Sequence, residues 1–379
     1  MLSTSTIQIV QSTVPVLASH GAAITKIFYQ RLFQAHPELK HVFNQSNQRS
    51  DRQSQALATA VYAAAAHIDR LETLKPVLLP VLHKHRSLQI KPEMYPIVGH
   101  ELLGAMQDVL GEAATPEVLL AWGEAYGEIA NLFITLEAEL YARDEQAKGF
   151  SGYQTVKISN IQQYADGIRA LTFRTDDPLP AYRAGQYITV RIQDKDGLWH
   201  NRQYSLTTAS NTEAYSIGVK REGIVSDYLH AAQVGDTVLI SAPAGAFTLD
   251  ASDEPVVLIA GGIGITPMLA MADEALAAGR QVTLHHAVQD ERNRPFNEQL
   301  VLLEQRGARV IRYAEHQAMD QAGRLPKDVI AGITDSTYVC GPEAMIQYVI
   351  EHFTASPDKL HYEIFGPTLA FAAETPVAQ

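Results

Sequence analysis

The spacing of apolar residues changes character twice along this chain, and those two changes limit its architecture more than any single motif. Over the first 145 or so residues the period is helical: Ile7, Val10, Val14 and Leu17 recur at one spacing. Ile24, Ile27, Phe28, Leu32 and Phe33 form a second run after Gly21 that stops near Pro37. A polar corner, Asn44 to Asp51, leads into an Ala-rich helix from Gln53 to Ile68. Leu71 to Leu82 is a further helical segment, and Pro92 opens the next, which carries Ile97, Leu102 and Met106 and ends at Gly111. Thr115-Pro116-Glu117 is a start signal, an N-cap hydroxyl followed by Pro and an acid, for a long helix to about Arg143. From Tyr153 the runs shorten and turn β: 155–158, Ile168 to Arg174, Tyr187 to Ile192 and Tyr215 to Val219, with Asp194-Lys195-Asp196-Gly197 as a hairpin turn. Even spacing of short strands predicts a small antiparallel barrel. At Pro255 strands and helices begin to alternate (256–259, Pro267 to Ala278, 282–284), the βαβ signature of a parallel sheet with covered faces. The expectation is a multidomain chain: an all-α domain over 1–147, an antiparallel β-barrel over 148–253 and an α/β parallel-sheet domain over 254–379.

Composition narrows the function classes. A formal net charge of -12, with no dense basic stripe, argues against nucleic-acid binding. A single cysteine, Cys340, excludes an internal disulfide and a cysteine zinc site and fits a reducing compartment. Residues Met1 to Gly21 have no basic leader, and Gln8, Gln11 and Ser12 interrupt the apolar pattern, so they read as an amphipathic helix and not a signal peptide. No apolar run reaches membrane-spanning length, and a cytoplasmic location is expected.

Each part carries a candidate constellation. In the helical part, His85 stands where one helix ends and Lys91-Pro92 begins the next. A histidine at such a corner can point its ring into a cavity between helices, as the proximal ligand of a haem iron must, or it can be a hydrogen-bonded core histidine. Gln53 and Leu57 share a helix face with Ala60, Val61 and Ala64; the small residues admit a flat cofactor and Gln53 gives it one polar tip. Tyr29 can offer a hydroxyl to the same cavity, and Phe43 can wedge against a ring edge or fill core. In the barrel part, Arg202-Gln203-Tyr204-Ser205 places a guanidinium suited to a diphosphate beside a ring and a hydroxyl suited to a flavin. In the last part, Gly261-Gly262-Ile263-Gly264-Ile265-Thr266-Pro267 follows a buried strand and opens a helix, an arrangement that lets backbone approach a phosphate. It is not the three-glycine dinucleotide fingerprint, since Pro267 holds the last place. Arg292 and Arg294, after the next strand, either reach a 2′-phosphate or are plain loop charges, so NADH and NADPH stay open.

Together these residues resemble the flavohaemoglobin family. In the helical part the likeness runs through Tyr29, Phe43-Asn44, Asn47-Gln48-Arg49, Gln53, Leu57, Lys84-His85, Gln89-Ile90-Lys91-Pro92-Glu93, Tyr95, Trp122-Gly123, Ala125-Tyr126-Gly127 and Glu137-Ala138-Glu139. In the barrel, Gly185-Gln186-Tyr187, Arg202 to Ser205, Val219 to Gly223, Ser226 and Leu229-His230 resemble the FAD-binding barrel of the ferredoxin-reductase superfamily; the Gly223 loop is shorter here than in many members. Tyr338-Val339-Cys340-Gly341-Pro342 and Tyr362-Glu363-Ile364-Phe365-Gly366-Pro367 complete the likeness, and the tail Thr368 to Gln379 lies beyond it. The resemblance implies a globin holding haem b through His85, with Tyr29, Gln53 and Leu57 on the distal side, Tyr95 and Glu137 bonded to the proximal histidine, and Lys84 at the haem edge. It implies FAD held by Tyr187, Arg202, Gln203, Tyr204, Ser205, Gly223 and Ser226, with the helix near Ser226 turning backbone N–H groups to phosphate. It implies NAD(P)H at Gly262 to Pro267 and at Cys340, Gly341 and Pro342, with Cys340 as a wall residue; Phe365 covers the flavin, with Glu363, Ile364, Gly366 and Pro367 around it. The implied activity is that of a nitric oxide dioxygenase acting as a monomer: electrons pass from NAD(P)H through FAD to haem, and oxygen bound there converts nitric oxide to nitrate. Two rivals are an oxygen-storing or sensing globin whose reductase keeps iron ferrous, and a flavin reductase whose helical domain is regulatory.

Overall fold

The structure is a computed structural model that describes residues 2–43, 52–146, 149–164, 167–315, 321–322 and 324–365. The chain divides into two compact units. The first runs from Met1 to Arg143 and takes in Gln193–Asn201; the second holds Asp144–Ile192 and Arg202–Phe365. Among the described residues no helix is long and apolar enough to cross a membrane.

The first unit is helical: α1 (Thr4–Ser12), α2 (Val14–Ala35), α3 (Arg52–Ala66), α4 (Lys75–Ser87), α5 (Met94–Leu110) and α6 (Pro116–Gln146). Gly21 does not separate two helices, as the spacing suggested; α2 runs straight through it and the break falls at Thr13. Pro15 explains the restart, because a proline lacks the N–H that a first helical turn leaves unbonded anyway. Gly21 has a packing role instead: a Cβ there would lie 3.3 Å from the Cβ of Ala58 on α3, so the glycine lets two helices meet closely. Ile24, Phe28 and Leu32 of α2, Leu102 and Met106 of α5, and Trp122 and Ala125 of α6 form the shared core. Gly111, at φ +55°, stops α5, and the Thr115 hydroxyl accepts from the Val118 N–H to start α6.

The rest of the chain forms two sheets. Strands β1 (Tyr153–Gln163), β2 (Ile168–Arg174), β3 (Tyr187–Gln193), β4 (Trp199–Ser205), β5 (Tyr215–Lys220) and β6 (Thr237–Ser241) lie in the order β4-β3-β6-β1-β2-β5. The chain leaving β4 returns to the opposite edge, where Leu206 bridges Ile217 on β5 and the Thr207 N–H donates to the Ser216 carbonyl at 2.9 Å. That contact curls the antiparallel sheet into a barrel, which removes exposed edges. Inward residues such as Ile158, Leu171, Phe173, Ile188, Val190 and Ile217 fill it.

The other sheet has the order β10-β9-β8-β7-β11-β12, formed by β7 (Val256–Gly261), β8 (Val282–Val288), β9 (Arg309–Ala314), β10 (Gln321–Ala322), β11 (Ser336–Cys340) and β12 (Leu360–Glu363), with every pair parallel. β7 is buried along its whole length because the two-residue pleat sends its side chains into two separate cores. Val256, Leu258 and Ala260 pack with helix α8 (Ile265–Ala277), while Val257 and Ile259 pack with Ile330, Ile346 and Val349 on the other face. The continuous apolar run that marks a doubly covered strand is thereby accounted for.

Candidate functional site

In the helical unit, the corner after α4 is built on His85 itself. The Ile90 N–H donates to the His85 carbonyl at 3.0 Å and the Gln89 N–H to the Arg86 carbonyl at 3.1 Å, the paired bonds of a Schellman C-cap. Gln89 occupies the left-handed position, φ +60°, where a side chain costs about 1–2 kcal/mol. Its Nε2 donates to the Arg86 carbonyl at 2.9 Å, which returns part of that cost. The next helix begins at Met94, two residues after Pro92, because the Lys91–Glu93 turn intervenes, with the Met94 N–H on the Lys91 carbonyl at 3.0 Å.

His85 meets two groups that sequence spacing alone leaves far apart. Its Nδ1 lies 2.8 Å from Glu137 Oε1 and 3.3 Å from the Tyr95 hydroxyl, and that hydroxyl donates to the same Oε1 at 2.7 Å. Glu137 is buried, and a buried carboxylate needs donors of this kind. The proton therefore sits on Nδ1, and the lone pair on Nε2. A lone pair at Nε2, with the opposite nitrogen anchored to a carboxylate, is the donor set that fits haem iron. Burial and the Glu137 charge push the Tyr95 phenol far up, so it remains a donor.

Three more residues complete this corner without having been given a role from sequence. The Tyr126 hydroxyl donates to the Tyr95 carbonyl at 2.7 Å. Gly99 makes room for it, since a Cβ there would fall 2.5 Å from the Tyr126 ring. Phe133 sits 5.8 Å from the His85 ring and 6.2 Å from the Tyr95 ring. It precedes Glu137 by four, so the helical period of α6 was the signal that would have found it. Lys84 is half-buried on α4 beside His85.

Tyr29, Phe43 and Leu57 belong to one apolar cluster. The Tyr29 ring is 5.9 Å from Phe33, stacked, and 5.7 Å from Phe43, edge-on. Gln53 lies on α3, but its side chain falls outside the described residues, as do Asn44 and Asn47-Gln48-Arg49.

On β4, Ser205 is buried and Tyr204 packs against the barrel core. Gln203 Nε2 donates to the Thr189 hydroxyl at 3.1 Å. Burial pulls the Arg202 guanidinium pKa down, as expected of a cation held partly out of water. Tyr187 is buried against Gly245. Gly223, at φ +146°, caps α7 (Ile224–Ala231), and the Ser226 hydroxyl is committed to that turn, accepting from the Glu222 N–H and donating to the Gly223 carbonyl, each at 2.8 Å. Ser226 thus shapes this turn.

The segments 261–267 and 338–342 are in contact. A Cβ on Gly264 would lie 2.3 Å from the Cys340 carbonyl oxygen, and one on Gly341 would lie 3.0 Å from the Gly261 Cα. Ile265, Thr266 and Pro267 are buried at the start of α8. Cys340 is fully buried, and burial raises its thiol pKa well above the usual value, with the Glu363 charge adding to the effect. That suits a wall and not a nucleophile. Glu363 pairs with Cys340 across β12, Ile364 is half-buried, Phe365 is exposed, and Gly366 and Pro367 lie outside the described residues. Pro342 precedes helix α11 (Glu343–His352). Arg294 is a structural residue: Glu291 chelates it, and it donates to the carbonyls of His286 and Tyr313 at 2.8 and 2.9 Å. Arg292 is chelated by Asp290.

Gly218 on β5 lets this motif approach the barrel. A Cβ there would lie 2.5 Å from Thr266 Cγ2 and 2.8 Å from Phe296 Cζ, both buried. Gly218→Ala is expected to cost about 1–3 kcal/mol, as overpacking does. The check is a denaturant midpoint; an unshifted one means that Thr266 and Phe296 yield without strain.

Residues 26–132 match the globin family, 155–249 the oxidoreductase FAD-binding domain and 258–351 the oxidoreductase NAD-binding domain. Fold and matches together define a class: a globin fused to a flavin- and nicotinamide-type oxidoreductase. The chain is 41% identical to the flavohemoprotein of Bacillus subtilis, over 98% of this chain and 99% of that one. It is 39% identical to flavohemoprotein A of Dictyostelium discoideum, over 97% and 98%. The crystal structure of flavohemoglobin from Malassezia yamatoensis with bound FAD and heme superposes with a TM-score of 0.88 at 30% identity, covering 96% of this chain and 100% of the other. The FAD/NAD-binding domain of a nitric oxide dioxygenase from Vibrio cholerae matches 56% of this chain and 99% of its own, with TM-score 0.53 and 30% identity. This chain belongs to the flavohemoprotein family.

Proposed function

We propose that the chain is an NAD(P)H-dependent nitric oxide dioxygenase that consumes oxygen and nitric oxide and releases nitrate, as a cytoplasmic monomer. One observation carries the reading: the buried Glu137–Tyr95 pair fixes the proton of His85 on Nδ1 and so reserves Nε2 for iron. Haem b supplies an iron that binds oxygen, and FAD supplies a carrier that takes a hydride and gives up electrons singly. Glu137 makes the His85 imidazole electron-rich, which favours electron donation toward the iron. Tyr29, held by Phe33 and Phe43, is the donor assigned to developing negative charge, with Gln53 assisting and Leu57 limiting access. Arg202 pairs with the FAD diphosphate, with Tyr204 against the flavin and Ser205 bonded to it. The Gly262–Pro267 loop and Cys340-Gly341-Pro342 receive the nicotinamide, with Glu363 and Phe365 at the flavin.

The test is nitrate yield from nitric oxide, oxygen and NADH, read beside oxygen release. The parent is expected to form one nitrate per nitric oxide consumed. Tyr29→Phe removes a hydrogen bond to a charged acceptor, about 1.5–3 kcal/mol, so oxygen should leave roughly ten- to a hundredfold faster. Tight oxygen binding without nitrate in the parent establishes an oxygen carrier. An unchanged off-rate in the Phe variant removes Tyr29 from the mechanism.

A further inference from the structure

His286 lies at the centre of the parallel sheet, on β8, with no exposed surface. Its Nε2 is 3.1 Å from the carbonyl oxygen of Gly262, the second glycine of the loop. A carbonyl only accepts, so Nε2 carries the proton and Nδ1 is left as a bare lone pair. That Nδ1 is buried and has no hydrogen-bond partner among the described residues. Leaving a buried acceptor unpaired costs more than a typical hydrogen bond contributes. An apolar side chain would avoid that cost but would lose the donor to the Gly262 carbonyl. Burial first, then the nearby Arg294 charge, lowers its pKa to about 3, which keeps the ring neutral and its Nε2–H present at any physiological pH.

The backbone that carries the ring is held as well. His286 pairs with Ala260 of β7 and Arg312 of β9, and its own carbonyl accepts from Arg294 Nη1 at 2.8 Å. Gly262 has φ +54° and its carbonyl also accepts from the Ile265 N–H within the single 3-10 turn Gly262–Gly264. Two lattice-like anchors therefore act on the loop: Gly264 is set against the Cys340–Gly341 peptide, and Gly262 is set by the imidazole. In a planar trans peptide the carbonyl and the following N–H point in opposite directions. Holding the Gly262 carbonyl toward β8 therefore turns the Ile263 N–H the other way, away from β8.

We propose that His286 is a positioning residue for dinucleotide binding: by fixing the Gly262 carbonyl it aims the Ile263 amide at the diphosphate of NADH. The proposal rests on the reading of this sheet as the nicotinamide-dinucleotide unit. It concerns a residue that touches the loop, not the nucleotide.

The experiment compares the full-length holoprotein with His286→Leu, which keeps apolar volume and loses the donor, and His286→Gln, which retains an N–H donor. Flavin reduction by NADH is followed by stopped flow. The Leu variant should show a KM or apparent Kd for NADH raised roughly tenfold, the equivalent of one lost hydrogen bond, with limiting rate within about twofold. Its flavin and haem absorption should match the parent, and the Gln variant should recover most of the affinity. An unchanged NADH affinity in the Leu variant overturns the proposal. Equal losses in Leu and Gln overturn it too, because packing and not the donor would then be the cause. If flavin in the parent is reduced by neither NADH nor NADPH, the dinucleotide reading itself falls, and this assignment with it.

Discussion

His85→Ala is expected to yield a protein that purifies with its flavin but without haem. Of the groups at the proximal corner, Glu137 is buried and negatively charged, Tyr95 is a buried phenol kept protonated, and Phe133 is apolar. None of these replaces a neutral imidazole nitrogen as the iron's partner. Truncation also leaves the Glu137 carboxylate with the Tyr95 hydroxyl alone, where it now has that hydroxyl and the ring N–H. Losing one hydrogen bond to a charged group costs about 1.5–3 kcal/mol, so the helical unit should lose stability as well. Added free imidazole tests the assignment further, since it can enter the vacated space, meet Glu137 and offer its second nitrogen. The measurement is the haem Soret absorbance relative to flavin absorbance, with and without imidazole. A variant that retains full haem with proximal nitrogen ligation transfers the ligand role to another histidine.

That corner also shows how far a sequence can be read. The helical period and the Lys91-Pro92 step place His85 at the end of a helix, because those signals are local. The tilt of α6 that delivers Glu137 to the ring, 52 residues later, is tertiary, and came only with the family resemblance. Gly99 escaped notice, and Tyr126 was given no role, because a glycine inside a helix reads locally as a weakness, whereas its worth here is the space it leaves for a ring. Gly21 was misread for the same reason. Strand positions in the barrel were legible from turn chemistry, as at Asp194 to Gly197, where the Asp194 N–H meets the Leu198 carbonyl at 2.9 Å. The closing bridge at Leu206 and Ile217 was not, since register across a barrel seam depends on shear. The fate of an arginine was the least legible feature. Arg294 reads in sequence as a 2′-phosphate contact or a loop charge, yet it is a buried brace, and only the placement of Glu291 and two carbonyls reveals it.

The second unit is expected to lose stability steeply between pH 7 and pH 5, well above the range in which carboxylates titrate. Two of its histidines are buried in β8: burial, then the Arg309 charge, lowers His285 to about 4, and burial, then Arg294, lowers His286 to about 3. In the unfolded chain both return to the ordinary value near 6.5. Below that value the unfolded state binds protons that the folded state refuses, so unfolding takes up protons and stability falls as pH drops, until the folded values are reached. At pH 5 the deficit is roughly 2 kcal/mol for each histidine, about 4 kcal/mol together, against a total stability of about 5–15 kcal/mol. His230 and His361 are also lowered by burial and act in the same sense. The carboxylates of Asp250 and Glu304 have folded values below their ordinary ones, so their contribution is present above the carboxylate range and is lost only as pH falls through it. The window from pH 7 to pH 5 therefore reports the histidines. Denaturant midpoints at the two pH values, for the parent and for His286→Gln, give the measurement. The variant should be spared about 2 kcal/mol of the parent's loss, because a glutamine takes up no proton on unfolding. Identical pH dependence in the two proteins would mean that His286 gains its proton without leaving the folded state, which a ring enclosed in the sheet can do only if that core opens to water.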